Sequence, residues 1–81
     1  MSKHTNLLTI DIYEKIEEYI GRNSLKAHDR LPSERTLSEL WGVNRLTLRE
    51  AIEKLANEGK LYSIHGKGNF VAEPKYLEDV N

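Results

Sequence analysis

Two arginines, Arg45 and Arg49, stand one helical turn apart behind a capping asparagine in the run Gly42-Val43-Asn44-Arg45-Leu46-Thr47-Leu48-Arg49. A guanidinium presents a rigid fork of donors, and two of them on one helix face can reach a phosphate or the edge of a guanine. Gly42 can take the positive φ that ends a preceding helix, and Asn44 is a strong N-cap for the next. Leu48, Ala51, Ile52 and Leu55 then recur at helical spacing, which predicts a helix from Arg45 to about Glu58, with Gly59 as its C′ residue. That stripe turns Arg45, Leu46 and Arg49 outward, with Asn44 and Thr47 flanking them. An apolar side chain such as Leu46 in an exposed first turn either packs on its neighbours or meets a thymine methyl group. Ser33 marks a second helix start upstream. Both Ser33 and Asn44 therefore sit where free N–H groups and a positive dipole end could receive a DNA phosphate.

A lone Arg-x-x-x-Arg decorates many solvated helices, so the neighbouring elements decide what the pair means. Leu31-Pro32-Ser33-Glu34-Arg35-Thr36-Leu37-Ser38-Glu39-Leu40-Trp41 reads as a helix capped by Ser33, with Leu37, Leu40 and Trp41 as its apolar stripe. Two short helices joined by a turn containing Gly42 make a helix-turn-helix. Residues 61–65 and 69–72 are strand-like around Gly66-Lys67-Gly68, a hairpin with a basic tip, or wing. The glycines would let that tip turn tightly and approach DNA closely, with Lys67 and His65 as cations or donors. A nucleotide-binding glycine loop should open a helix, whereas Phe70 and Val71 here continue a strand.

Upstream, Ile12, Tyr13, Ile16, Tyr19 and Ile20 mark an amphipathic helix from about Leu8 to the neighbourhood of residues 21–23. Residues 1–6 are polar, lack periodicity and are expected to be disordered. Residues 24–31 form a connector anchored by Leu25. Its end, Arg30-Leu31, should be a short strand pairing with the wing, since the residue before Pro32 favours extended geometry. Pro74 stops any continuing strand, and residues 73–81 read as the start of a linker to a further domain. The expected fold is α+β, a winged helix-turn-helix of three helices and a small antiparallel β-wing over residues 7–72.

An 81-residue chain makes one domain with a small core. It has no cysteine, and His4, His28 and His65 lie on separate elements without a cluster at ligand spacing, so no metal site and no cofactor are expected. No serine, histidine and acid constellation has a motif context, and the chain is too short to build a substrate cleft, so no enzyme is expected. No apolar run reaches membrane-span length, and a cytoplasmic protein is expected. The net charge of −1 and pI near 6.3 argue against a polyanion binder. Its distribution argues the other way: residues 30–72 hold seven basic against five acidic side chains, net +2, while acid collects in the first helix and the tail.

The run Leu31-Pro32-Ser33-Glu34-Arg35, then Gly42-Val43-Asn44-Arg45, Thr47, Arg49-Glu50-Ala51, Glu58-Gly59 and Gly66-Lys67-Gly68-Asn69-Phe70-Val71 closely resembles the DNA-binding domain of GntR-family bacterial transcription regulators, over residues 12–72. The resemblance implies that Arg35, Arg45 and Arg49 contact operator DNA, that Thr47 bonds a phosphate, and that the wing enters the minor groove. It further implies a C-terminal domain, beyond this chain, that binds a small-molecule effector and dimerises. Most such proteins are repressors released by that ligand. Two positions depart from the family pattern: His28 where glycine is frequent, and Asn44 where serine or threonine is usual. The ending Phe70-Val71-Ala72-Glu73-Pro74-Lys75 is similar to the branch whose effector domain is related to chorismate lyase; an aminotransferase-like domain is the other option. The rival class is a winged helix that pairs with a protein.

Overall fold

The computed structural model describes residues 2–74, with side chains from Thr9 onward. The expected linker lies largely outside them, at residues 75–81. Three helices, α1 (Ser2–Arg22), α2 (Glu34–Trp41) and α3 (Arg45–Asn57), precede an antiparallel pair, β1 (Leu61–Ile64) and β2 (Gly68–Val71). The apolar stripes converge on one core. Ile12 and Ile16 from α1, Leu37 from α2, Leu48, Ala51, Ile52 and Leu55 from α3, and Leu31, Leu61 and Val71 around the wing are all buried. Full burial of each large aliphatic side chain contributes about 1.5–3 kcal/mol, and α1 against α3 is the main seam.

Local signals position the helix-turn-helix. The Ser33 hydroxyl accepts the Thr36 N–H at 3.0 Å and starts α2. Gly42, at φ 64°, ends it; the Val43 N–H donates to the Ser38 carbonyl at 3.1 Å, and the Ser38 hydroxyl donates back to the Val43 carbonyl at 2.7 Å. The Asn44 Oδ1 accepts from the N–H groups of Leu46 at 2.7 Å and Thr47 at 3.3 Å, and α3 begins. Each cap satisfies donors that the first turn leaves orphaned. The turn is thereby closed at both ends by backbone and side-chain bonds.

The wing pairs Leu61 with Val71 and Ile64 with Gly68 across a three-residue turn, His65-Gly66-Lys67. As expected, Arg30-Leu31 joins it. Arg30 bridges Phe70, the Leu31 N–H donates to the Asn69 carbonyl at 2.8 Å, and the Val71 N–H donates to the Asp29 carbonyl at 2.9 Å. His28 holds the left-handed φ of 75°, a position that explains frequent glycine. Its ring compensates: Nδ1 lies 2.8 Å from the Tyr62 hydroxyl, and the ring meets Tyr62 edge-on.

Three expectations need correction. The helix α1 opens at Ser2, ahead of Leu8 and across the polar segment expected to be disordered, because extending an existing helix adds one hydrogen bond for each residue fixed. Leu40, assigned to the buried stripe of α2, is 63% exposed. In a helix of eight residues the contact line runs through Leu37 and Trp41, one turn apart, and Trp41 packs edge-on against Tyr19. Gly68, assigned to the tip, belongs to β2, while His65 belongs to the turn.

Candidate nucleic-acid interface

The start of α2, the start of α3 and the wing turn enclose an open cleft of about 400 Å³. Ser33 and Arg35 line one wall, Arg45 the second, and His65, Gly66, Lys67 and Gly68 the third, so the fold gathers predicted residues from three separate stretches. Among the described residues no carboxylate forms an ion pair with Arg45 or Lys67. Arg35 holds only a loose pair with Glu39 on its own helix, at 3.5 Å, with its side chain 77% exposed. Exposed pairs of this kind are worth little and part easily. The cleft is therefore a concave, cation-lined surface open to a large anion.

The other predicted residues divide. Asn44 is consumed as a cap through Oδ1, and among the described residues no hydrogen bond uses its Nδ2 amide. Leu46 stands 65% exposed, which removes the option that it packs on its neighbours. Thr47 corrects the reading that it flanks the outward face: it is only 8% exposed. Thr47, Ala51 and Leu55 follow one another at four-residue intervals, so Thr47 lies at the head of the buried stripe.

Arg49 differs from Arg45 in a way its spacing does not reveal. Its Nε and Nη2 both donate to Glu34 Oε1, at 3.2 and 3.0 Å, and this bond to Glu34 raises the guanidinium's pKa above its ordinary value. Glu34 also lines the cleft, so its negative charge there is answered by Arg49. The pair bridges α2 to α3 across 15 residues of sequence, and no local pattern announces it. Arg30, whose stretch reads as strand, lines the same cleft.

The sequence model described as "Bacterial regulatory proteins, gntR family" matches residues 8–71. This chain belongs to the GntR family. Among relatives of the GntR-family domain, the HTH-type transcriptional repressor NagR of Bacillus subtilis is 42% identical over 64 residues, 79% of this chain and 26% of the relative. The histidine utilization repressor of Klebsiella aerogenes is 40% identical over 67 residues, 78% of this chain and 28% of the relative. The chain thus spans little more than a quarter of these relatives' length. A crystal structure of the AraR DNA-binding domain in complex with operator ORR3 superposes with a TM-score of 0.75 at 35% identity, covering 80% of this chain and 78% of that one. YydK of Bacillus subtilis, described as a "possible transcriptional regulator", superposes with a TM-score of 0.79 at 31% identity, covering 84% of this chain and 30% of that one. The winged helix-turn-helix and the family expected from sequence both hold. Among the described residues no group of His, Cys, Asp and Glu could hold a metal ion, and no helix is long and apolar enough to cross a membrane.

Proposed function

We propose that this GntR-family domain binds a specific operator in duplex DNA and, within a longer cytoplasmic protein, represses transcription until a small molecule releases it. The observation that carries the reading is the cleft itself: exposed Arg45 at the capped start of α3 lines it together with Lys67 of the wing turn, and among the described residues no carboxylate pairs with either. A recognition helix fits the major groove and a hairpin tip the adjacent minor groove. In this arrangement Arg45, Leu46 and Arg49 meet base edges, with Leu46 against a thymine methyl group. Arg35 and the helix starts at Ser33 and Asn44 meet phosphates, while Thr47, at the head of the buried stripe, supports the start of α3 from within. His65, Gly66, Lys67 and Gly68 form the minor-groove contact. The complex of the AraR domain with its operator and the repressor names of the relatives support this reading.

The domain acts by binding, without catalysis and without a cofactor. Full-length protein is a homodimer whose effector domain lies beyond residue 81; joining two modules adds on the order of 10²–10⁴ in avidity without a new contact. Titration against a candidate operator and a scrambled duplex at two salt concentrations tests the reading. Tighter binding to the operator, weakening with salt, is expected. Salt-insensitive binding, or none to any duplex at low salt, would leave a protein partner as the reading.

A further inference from the structure

Gly68 was read as a glycine that lets the wing approach DNA. Its surroundings give it a second task. It has φ 124°, and a β-carbon built there would lie 3.0 Å from Arg30 Nε, 3.6 Å from Nη2 and 3.7 Å from Cζ. By contrast, β-carbons on Gly42, Gly59 and Gly66 would meet nothing within 4 Å. The Arg30 side chain therefore crosses the wing through the space that Gly68 leaves empty. Backbone pairing holds its origin in place through the bridge from Arg30 to Phe70 and the Leu31 N–H to the Asn69 carbonyl at 2.8 Å. Arg30 lines the cleft together with Ser33 and the wing turn, and among the described residues no carboxylate pairs with it. The acid that shares this cleft, Glu34, is engaged by Arg49.

We propose that Arg30 is a DNA-phosphate contact, held in position by the missing side chain at Gly68. The proposal rests on the DNA-binding reading above. If α3 enters one groove and the wing turn the next, whatever lies between them faces the phosphate ridge that separates the grooves. Arg30 occupies that position. A cation there holds the duplex in register without reading bases. Gly68 opens β2 at a φ of 124°, which favours glycine by itself, and the room left by the absent side chain is the room that Arg30 takes.

The test uses Arg30→Gln, Arg30→Lys, Gly68→Ala and the Arg30→Gln/Gly68→Ala double variant, titrated against operator and scrambled duplex across a salt series. Arg30→Gln should lower affinity for both duplexes by about the same factor, roughly tenfold or more. It should also reduce the slope of log K against log salt by about 0.9. Arg30→Lys should keep the slope. Gly68→Ala should weaken the natural sequence yet add little in the Arg30→Gln background, with circular dichroism confirming a folded wing-bearing domain. Additive losses would overturn the link between Gly68 and Arg30. Unchanged affinity and slope for Arg30→Gln, while Arg45→Ala loses operator binding, would overturn the proposal and leave the DNA-binding reading standing. Absence of binding to any duplex by the natural sequence would instead remove the reading on which both rest.

Discussion

The two ends of α3 carry charges of the same kinds and use them differently. At its start, Arg45 has no carboxylate partner among the described residues, Arg49 is braced by Glu34, and no acidic residue occupies the first turn. At its end, Lys54 and Lys60 converge on Glu58, and Lys60 Nζ also reaches Glu17 at 2.7 Å and the Tyr13 hydroxyl at 3.0 Å. The Tyr13 hydroxyl in turn donates to Glu58. Cations are unfavourable at a helix N-terminus and favourable at its C-terminus. At the end the cations Lys54 and Lys60 thus obey the dipole and hold Glu58 between them, whereas at the start both arginines oppose it, and among the described residues only Arg49 finds a carboxylate. An electrostatic arrangement that serves the fold worse at one end than at the other supports the proposal that this end meets DNA.

The sharpest way to break this comparison is Arg45→Ala. Losing a good arginine–guanine pair should reduce operator discrimination by about 1–3 kcal/mol, while Tm stays level or rises because an unfavourable charge has gone. A variant that unfolds sooner but discriminates as before would show that Arg45 serves the fold. Lys67→Ala should have the next largest effect, lowering affinity for operator and scrambled duplex alike and the salt slope by about 0.9. If discrimination collapsed instead, the wing would be a reader of sequence.

Glu34→Gln probes the brace. With Arg49 released, affinity for scrambled duplex should rise, since the cleft loses a negative charge, while preference for the operator falls by less than in Arg45→Ala. An unchanged ratio of the two affinities would mean that Arg49 needs no guide. At the far end, Lys60→Met should leave duplex binding alone and lower Tm by less than about 4 °C, the scale of an exposed pair in a domain of this size.

The smallest effect is a pH dependence. The hydrogen bond from Tyr13 is the main cause holding the Glu58 carboxyl below its ordinary value of 4.5, with Lys54 and Lys60 assisting. A group whose pKa is depressed by folding contributes stability that is complete above the ordinary value and is lost as pH falls through the folded one. Acid unfolding monitored by circular dichroism should therefore show a shallower loss below pH 4.5 in Glu58→Gln than in the natural sequence. Identical acid limbs would mean that the contacts of Glu58 do not survive in solution.

The helices were legible because their signals are local. Ser33 and Asn44 cap within three residues of themselves, Gly42 ends α2 in the left-handed conformation, and the stripe Leu48, Ala51, Ile52 and Leu55 repeats at the helical period. Leu40 was misplaced for a complementary reason: spacing says which residues share a face, while burial depends on whether another element covers it. Thr47 shows the same limit from the other side, since the stripe extended one turn further towards the N-terminus than its aliphatic members reveal.

Residue types and short-range order thus determined the elements, the turn between α2 and α3, and which arginines leave the start of α3. Only the tertiary structure decided what those arginines meet. Glu34 and Arg49 are 15 residues apart, and Arg30 reaches Gly68 across the closure of the wing on the connector. Such pairings depend on how the elements pack, and no periodicity within one element encodes the distance to a side chain on another.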